Sequence, residues 1–181
     1  MNRASARLRS VSREGAFTLR ELLIVIGVVA VLAALLVPVT SAMRARAQRL
    51  QCTANLRTLY NAANLYVQQN GSWPQISMGD TGDNSFQDYA RGWIAALATF
   101  GPTQRTWICP TIQNRMGNPS YWQPENVRID YYAMAFNDKP TSPYEFARRP
   151  WFIETADVHG HGNLLIFADG SVSDLKTVNR R

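Results

Sequence analysis

Residues 15–39 read GAFTLRELLIVIGVVAVLAALLVPV, and this stretch decides the architecture. From Leu22 to Val37 no side chain is polar, and Pro38-Val39 prolongs the run. At about 1.5 Å of rise per residue, such a helix crosses most of a hydrocarbon layer about 30 Å thick. Upstream, Arg3, Arg7, Arg9 and Arg13 face only Glu14. A basic flank marks the cytoplasmic side of a span, so the chain after residue 39 is expected outside the cytoplasm.

Glu21 is the odd residue of the stretch. A carboxylate at the edge of an apolar helix needs a partner, and in lipid a positive charge is the least costly one. A cut just before Phe17 creates such a charge, a new α-ammonium. In a filament, the ammonium of one subunit then meets Glu21 of its neighbour. Arg20 offers the same carboxylate a local partner.

Gly15-Ala16-Phe17-Thr18-Leu19-Arg20-Glu21 followed by Leu22 to Ile26 resembles the cleavage and methylation motif of type IV prepilins and type II secretion pseudopilins. The resemblance implies cleavage between Ala16 and Phe17, with Gly15 and Ala16 as the alternative cut. It implies N-methylation at Phe17 and an assembly role for Glu21. It also implies the partners: a prepilin peptidase, other pilin-like subunits in a homo- or hetero-polymer, the inner-membrane assembly machinery and membrane lipid. An ordinary signal peptide cut after Ala42 and a plain membrane anchor are the competing readings. The expected localisation is the inner membrane, single-pass, with the exterior domain in the periplasm or on the cell surface after assembly.

Working outward, residues 1–16 form the leader, 17–39 the membrane and assembly helix, 40–70 its amphipathic continuation, and 71–181 an exterior domain. Between Thr40 and Asn70 there is neither proline nor glycine. Cys52, Leu56, Leu59, Ala63 and Tyr66 recur at helical spacing, and Asn70-Gly71 is a helix end. Residues 17–70 thus read as one helix of roughly 80 Å, with Pro38 expected to bend or break it. Arg44, Arg46, Arg49 and Arg57 are its only charges after Glu21, a solvated face or a contact for headgroups or neighbouring acids.

The rest is broken by glycine and proline. Tyr89–Phe100 reads as a short helix, and Thr106–Cys109, Ile129–Phe136 and Leu164–Ala168 as strands. Asp169-Gly170 turns the last of these into Ser171–Leu175, a terminal hairpin. The fold class is α+β and pilin-like, a long helix packed on a small antiparallel sheet. Cys52-x2-Asn55-Leu56-Arg57, Gly71-Ser-Trp-Pro74, Trp107-Ile-Cys-Pro110 and Tyr132-Ala-Met134 are similar to a bacterial prepilin-like group whose C-terminal motif is His-x9-Asp-Gly. His159, Asp169 and Gly170 fit that spacing.

The formal charge is +6, and half of it lies in the leader, since residues 17–181 hold 15 basic and 12 acidic residues. No phosphate loop, zinc-finger spacing or RNA-binding motif accompanies it, so nucleic acid is not an expected partner. No nucleophile elbow or zinc-protease helix is present, and no catalytic residue is assigned. Asp130 and Glu154 are a conceivable carboxylate pair of no special spacing. The two cysteines, Cys52 and Cys109, can form one disulfide in an oxidising compartment. His159 and His161, with Asp157 and Asp169 nearby, are candidate metal ligands; the plainer reading is a hydrogen-bonded loop histidine. The resemblance admits calcium, for which Asp80, Asp83, Asn84 and Asp88 offer oxygens, but their spacing is not that of an EF-hand. Trp73, Trp93, Trp107, Trp122 and Trp151 suggest either a small core or a sugar-binding surface. The functional rivals are therefore a structural subunit, a membrane-tethered extracytoplasmic ligand- or metal-binding domain, and a secreted enzyme.

Overall fold

The computed structural model describes residues 18–76, 85–117, 127–136, 142–160 and 162–180. Gly15, Ala16, Phe17, Asp80, Asp83, Asn84, Trp122 and His161 lie outside them. The chain divides into two compact units, Met1–Ala42 and Met43–Arg181.

Helix α1 runs over Leu19–Asn70, 52 residues, and is assigned without interruption through Pro38. It starts in a capping box. The Glu21 carboxylate accepts the backbone N–H and the hydroxyl of Thr18 at 2.9 and 2.7 Å, and the Glu21 N–H donates to the Thr18 hydroxyl at 3.2 Å. Two of the orphan donors of a helix start are satisfied this way. The end is as the sequence predicts: Gly71 takes φ of 74° and returns its N–H to the Val67 carbonyl at 2.8 Å.

In the first unit the described helical side chains stand exposed on every side. Val31 and Leu35, for example, are 62% and 65% accessible. A helix that is apolar all round has no polar face to give to water. Nothing else in this unit covers it among the described residues.

In the second unit the same helix turns amphipathic. Cys52, Leu56, Leu59, Ala63 and Val67 are buried, whereas Tyr66 is only half-buried. Four short strands form an antiparallel sheet in the order β1-β2-β3-β4: β1 Tyr131–Ala133, β2 Phe152–Glu154, β3 Leu164–Ile166 and β4 Val172–Asp174. Tyr131 pairs with Glu154, Phe152 with Ile166, and Ile166 with Val172. The terminal hairpin is therefore present, with Gly170 at φ of 75° in its turn. β2 has no counterpart among the predicted strands.

Helix α2 spans Ser85–Leu97, beginning earlier than predicted, and tightens into a 3-10 turn over Ala98–Phe100. The strand predicted at Thr106–Cys109 does not form. Gln104–Trp107 is a 3-10 turn instead, because Thr103 and Thr106 cap one another, and only Ile108 and Cys109 are extended. Pro110 then starts helix α3, Pro110–Met116, where its missing N–H costs nothing.

Trp73 sits at the centre of the core. Its ring lies 5.4 Å from Trp93, 5.1 Å from Phe136, 5.0 Å from Trp151 and 5.8 Å from Phe152, centroid to centroid. Trp93, Trp107 and Trp151 are likewise at most 1% exposed. These four tryptophans fill the interior, which corrects the sugar-binding surface: a ring buried against other rings has no face left for a ligand. A short helix, α4 at Leu175–Val178, closes the described chain.

Candidate functional site

The sheet carries an acid where alternation calls for an apolar residue. Phe152 and Glu154 lie two apart on β2, so they share a face, and both are fully buried. Glu154 is thereby aimed into the core. One carboxylate oxygen lies 3.3 Å from His159 Nε2, and the other accepts the Leu164 N–H at 3.5 Å. The side chains of His159 and Glu154 are 4% and 0% exposed. Cys109 Sγ is 3.8 Å from the same His159 nitrogen, and Cys52 Sγ is 2.6 Å from Cys109 Sγ. One ligand atom from each of Cys52, Cys109, Glu154 and His159 lies within 4.8 Å of all the others.

Each member is held from outside the cluster. Cys52 is fixed by helix α1. Cys109 lies between two clamps: Asn55 of α1 donates to the Ile108 carbonyl at 3.0 Å, and the Cys109 N–H donates to Asp130 at 2.8 Å. Asp130 is itself paired with Arg128 at 2.9 Å. Burial pushes its carboxyl up, while Arg128 and the Cys109 N–H pull it back. Asp130 and Glu154 flank Cys109 from two sides, Asp130 on its N–H and Glu154 beside its thiol, and no direct contact joins the two carboxyls among the described residues. Tyr131, opposite Glu154 in the sheet, places a buried hydroxyl against the Cys52 sulfur.

The histidine loop is built around Asp157. Its Oδ1 accepts the N–H groups of Gly160 and Gly162 at 3.1 and 3.0 Å, and its Oδ2 takes Lys176 Nζ at 3.1 Å. The lysine holds this carboxyl below its ordinary range. Gly162 is required twice over: φ is 90°, and a Cβ there would stand 3.0 Å from the backbone nitrogen of Lys176. Asp169 is equally occupied, accepting the Ser171 N–H at 2.8 Å. Neither aspartate turns to His159, whose partners are a sulfur and a glutamate. For a cation, His159 keeps its place as a candidate, Asp157 and Asp169 do not, and His161 lies outside the described residues. Asp88 of the suggested calcium set is mostly exposed and pairs with Arg91 at 3.1 Å.

Two features of the cluster bear on its chemistry. The sulfur and the carboxylate raise His159 to about 9, so the pocket favours positive charge at Nε2. Hydrogen bonding to Cys52 and burial push the Cys109 thiol up, while Cys52 is lowered by the same contact. The cluster is sealed from solvent, which excludes a substrate of any size. Its four donors can hold a proton, a sulfur–sulfur bond or a small cation. Glu154 as a member of this group, and Tyr131 beside it, were not found in the sequence; an acid within the apolar run Trp151-Phe-Ile-Glu154 was the available signal.

The motif residues resolve into two anchoring points. His159 belongs to the cluster at Cys52. Asp169 and Gly170 make the β3–β4 turn, which meets α1 at Tyr60, eight residues along. Glu21, on the other unit, is engaged by Thr18, with no ion pair to Arg20 among the described residues. No protein-family model, curated protein or solved structure matches the chain.

Proposed function

We propose that the chain is a prepilin-like structural subunit. A prepilin peptidase cuts it between Ala16 and Phe17 and methylates Phe17, and it assembles through its N-terminal helix into a type II secretion pseudopilus or type IV pilus. The observation that carries this reading is the continuity of helix α1, Leu19–Asn70. Its first part exposes apolar side chains on every side, and its last part is the backbone of a folded core. Only lipid, or the apolar helices of other subunits, satisfies the first part. A heterologous contact that does not close generates a filament, with apolar helices at its centre and folded units outside. The chain acts by packing and carries out no catalysis.

Intact mass of the mature protein tests this. A chain beginning at Phe17 with one added methyl group is expected. A chain beginning at Met43 means signal-peptidase release and overturns the reading. A membrane-tethered binding domain that forms no filament is the second reading, favoured by the four-donor cluster. It predicts that Glu21→Ala leaves function intact, whereas a filament subunit loses incorporation.

A further inference from the structure

We propose that Cys52, Cys109, His159 and Glu154 form a structural site for a thiophilic divalent cation of the zinc class, joining helix α1 to the sheet. The site does not depend on the filament reading.

Three observations converge. First, Glu154 is a fully buried carboxylate that faces His159 at 3.3 Å, the Leu164 N–H at 3.5 Å and the Cys109 thiol. A buried carboxylate is stabilised by positive charge held against it, which a cation shared with His159 and the two sulfurs supplies. A sulfur–sulfur bond is neutral and leaves that acid as it is. Second, one nitrogen, His159 Nε2, faces both Cys109 Sγ at 3.8 Å and Glu154 Oε1 at 3.3 Å. With zinc bonds of about 2.3 Å to sulfur and 2.0–2.2 Å to nitrogen and oxygen, a tetrahedron has edges of about 3.6 Å for S–N and about 3.4 Å for N–O. Two of its edges are therefore already present. Third, Tyr131 holds a buried hydroxyl against the Cys52 sulfur. A metal-bound thiolate accepts such a donor, and outer hydrogen bonds of this kind orient and tune the ligands.

The sulfurs stand 2.6 Å apart, and a zinc tetrahedron sets them about 3.8 Å apart. Loading therefore spreads them by a little over 1 Å. Thiols lose their protons on binding, so loading releases protons to solvent. Cys52-Cys109 oxidation is the competing chemistry, since a disulfide removes both sulfurs as ligands.

The test uses the full chain in detergent, isolated without chelator. Metal analysis is expected to give one zinc per chain. Replacement by Co²⁺ is expected to give the visible bands of a tetrahedral ion together with thiolate-to-cobalt charge transfer. That spectrum identifies the donors without any variant. His159→Gln and Glu154→Gln are expected to weaken Zn²⁺ binding at least tenfold, and His159→Gln to alter the cobalt bands. A Cys52–Cys109 disulfide in metal-free isolated protein overturns the proposal. So do reduced cysteines that take up neither Zn²⁺ nor Co²⁺, and so does metal whose affinity is unchanged in both variants.

Discussion

Tyr60 of helix α1 donates its hydroxyl to the carbonyl of Ala168 at 2.8 Å, and Gly170, two residues further on, stands against the same ring, where a Cβ would come within 3.3 Å. One tyrosine thus reads both the polarity and the bareness of the hairpin turn. Tyr60→Phe is expected to lower stability by about 1 kcal/mol, the net worth of a typical internal hydrogen bond. Gly170→Ala, at φ of 75°, is expected to cost about 1–2 kcal/mol through left-handed strain, with the ring contact in addition. Because the two changes share one contact, their effects should not add. Denaturant midpoints of the singles and the double show this.

Arg49 binds Asp174 through one nitrogen to both oxygens, at 2.8 and 2.9 Å, and is 37% exposed. A partly solvated pair contributes modestly, so Arg49→Ala is expected to cost about 0.5–1 kcal/mol. The loss should shrink in high salt. Thermal melts at two ionic strengths check it.

Thr18 and Glu21 separate capping from assembly. Thr18→Val removes the hydroxyl cap and should cost the helix about 1 kcal/mol, yet leaves the carboxylate in place. It is expected to assemble, while Glu21→Ala is not. Filament incorporation measured in parallel decides the point; equal loss in both variants assigns the glutamate to capping alone.

The hairpin turn also has an acid-sensitive component. The hydroxyl and the N–H of Ser171 hold Asp169 below the ordinary carboxylate range. A carboxyl lowered by folding adds stability above its unfolded value, about 3.9, and loses it as the pH falls through the folded value. Asp169→Asn keeps an acceptor for Ser171 but does not titrate. Its stability should vary less with pH between 5 and 2 than that of the parent chain, as followed by urea midpoints.

The core position Trp73 should be the most sensitive of all. Trp73→Ala is expected to cost about 3–5 kcal/mol, the range for removing a large buried ring. Circular dichroism and the melting midpoint report it.

The parts of the fold that follow local rules were legible in the residues. Cys52, Leu56, Leu59 and Ala63 repeat at helical spacing and are buried, and Asp169-Gly170 makes the hairpin turn. Thr106–Cys109 misled because β-rich composition outweighed a weaker signal, the reciprocal caps of Thr103 and Thr106. Thr18-x-x-Glu21 was readable as a capping box, but the glutamate's place beside an apolar run drew attention to charge instead. The cluster was legible only in pieces. Cys109 and His159 are 50 residues apart, and no local period links them. Glu154 breaks the alternation that would have placed an apolar residue there, and only tertiary structure explains the exception.

The crowding of rings around Trp73 has an optical consequence. Trp73 and Trp151 lie 5.0 Å apart at an interplanar angle of 65°, and Trp73 and Trp93 lie 5.4 Å apart at 53°. Indole transitions so close and so inclined couple, giving near-ultraviolet circular dichroism that no single ring would produce. Excitation absorbed by one ring migrates to the others before it is emitted. The light leaving the protein therefore reports the geometry of a group, and a small rearrangement of any one ring dims or shifts the signal of all.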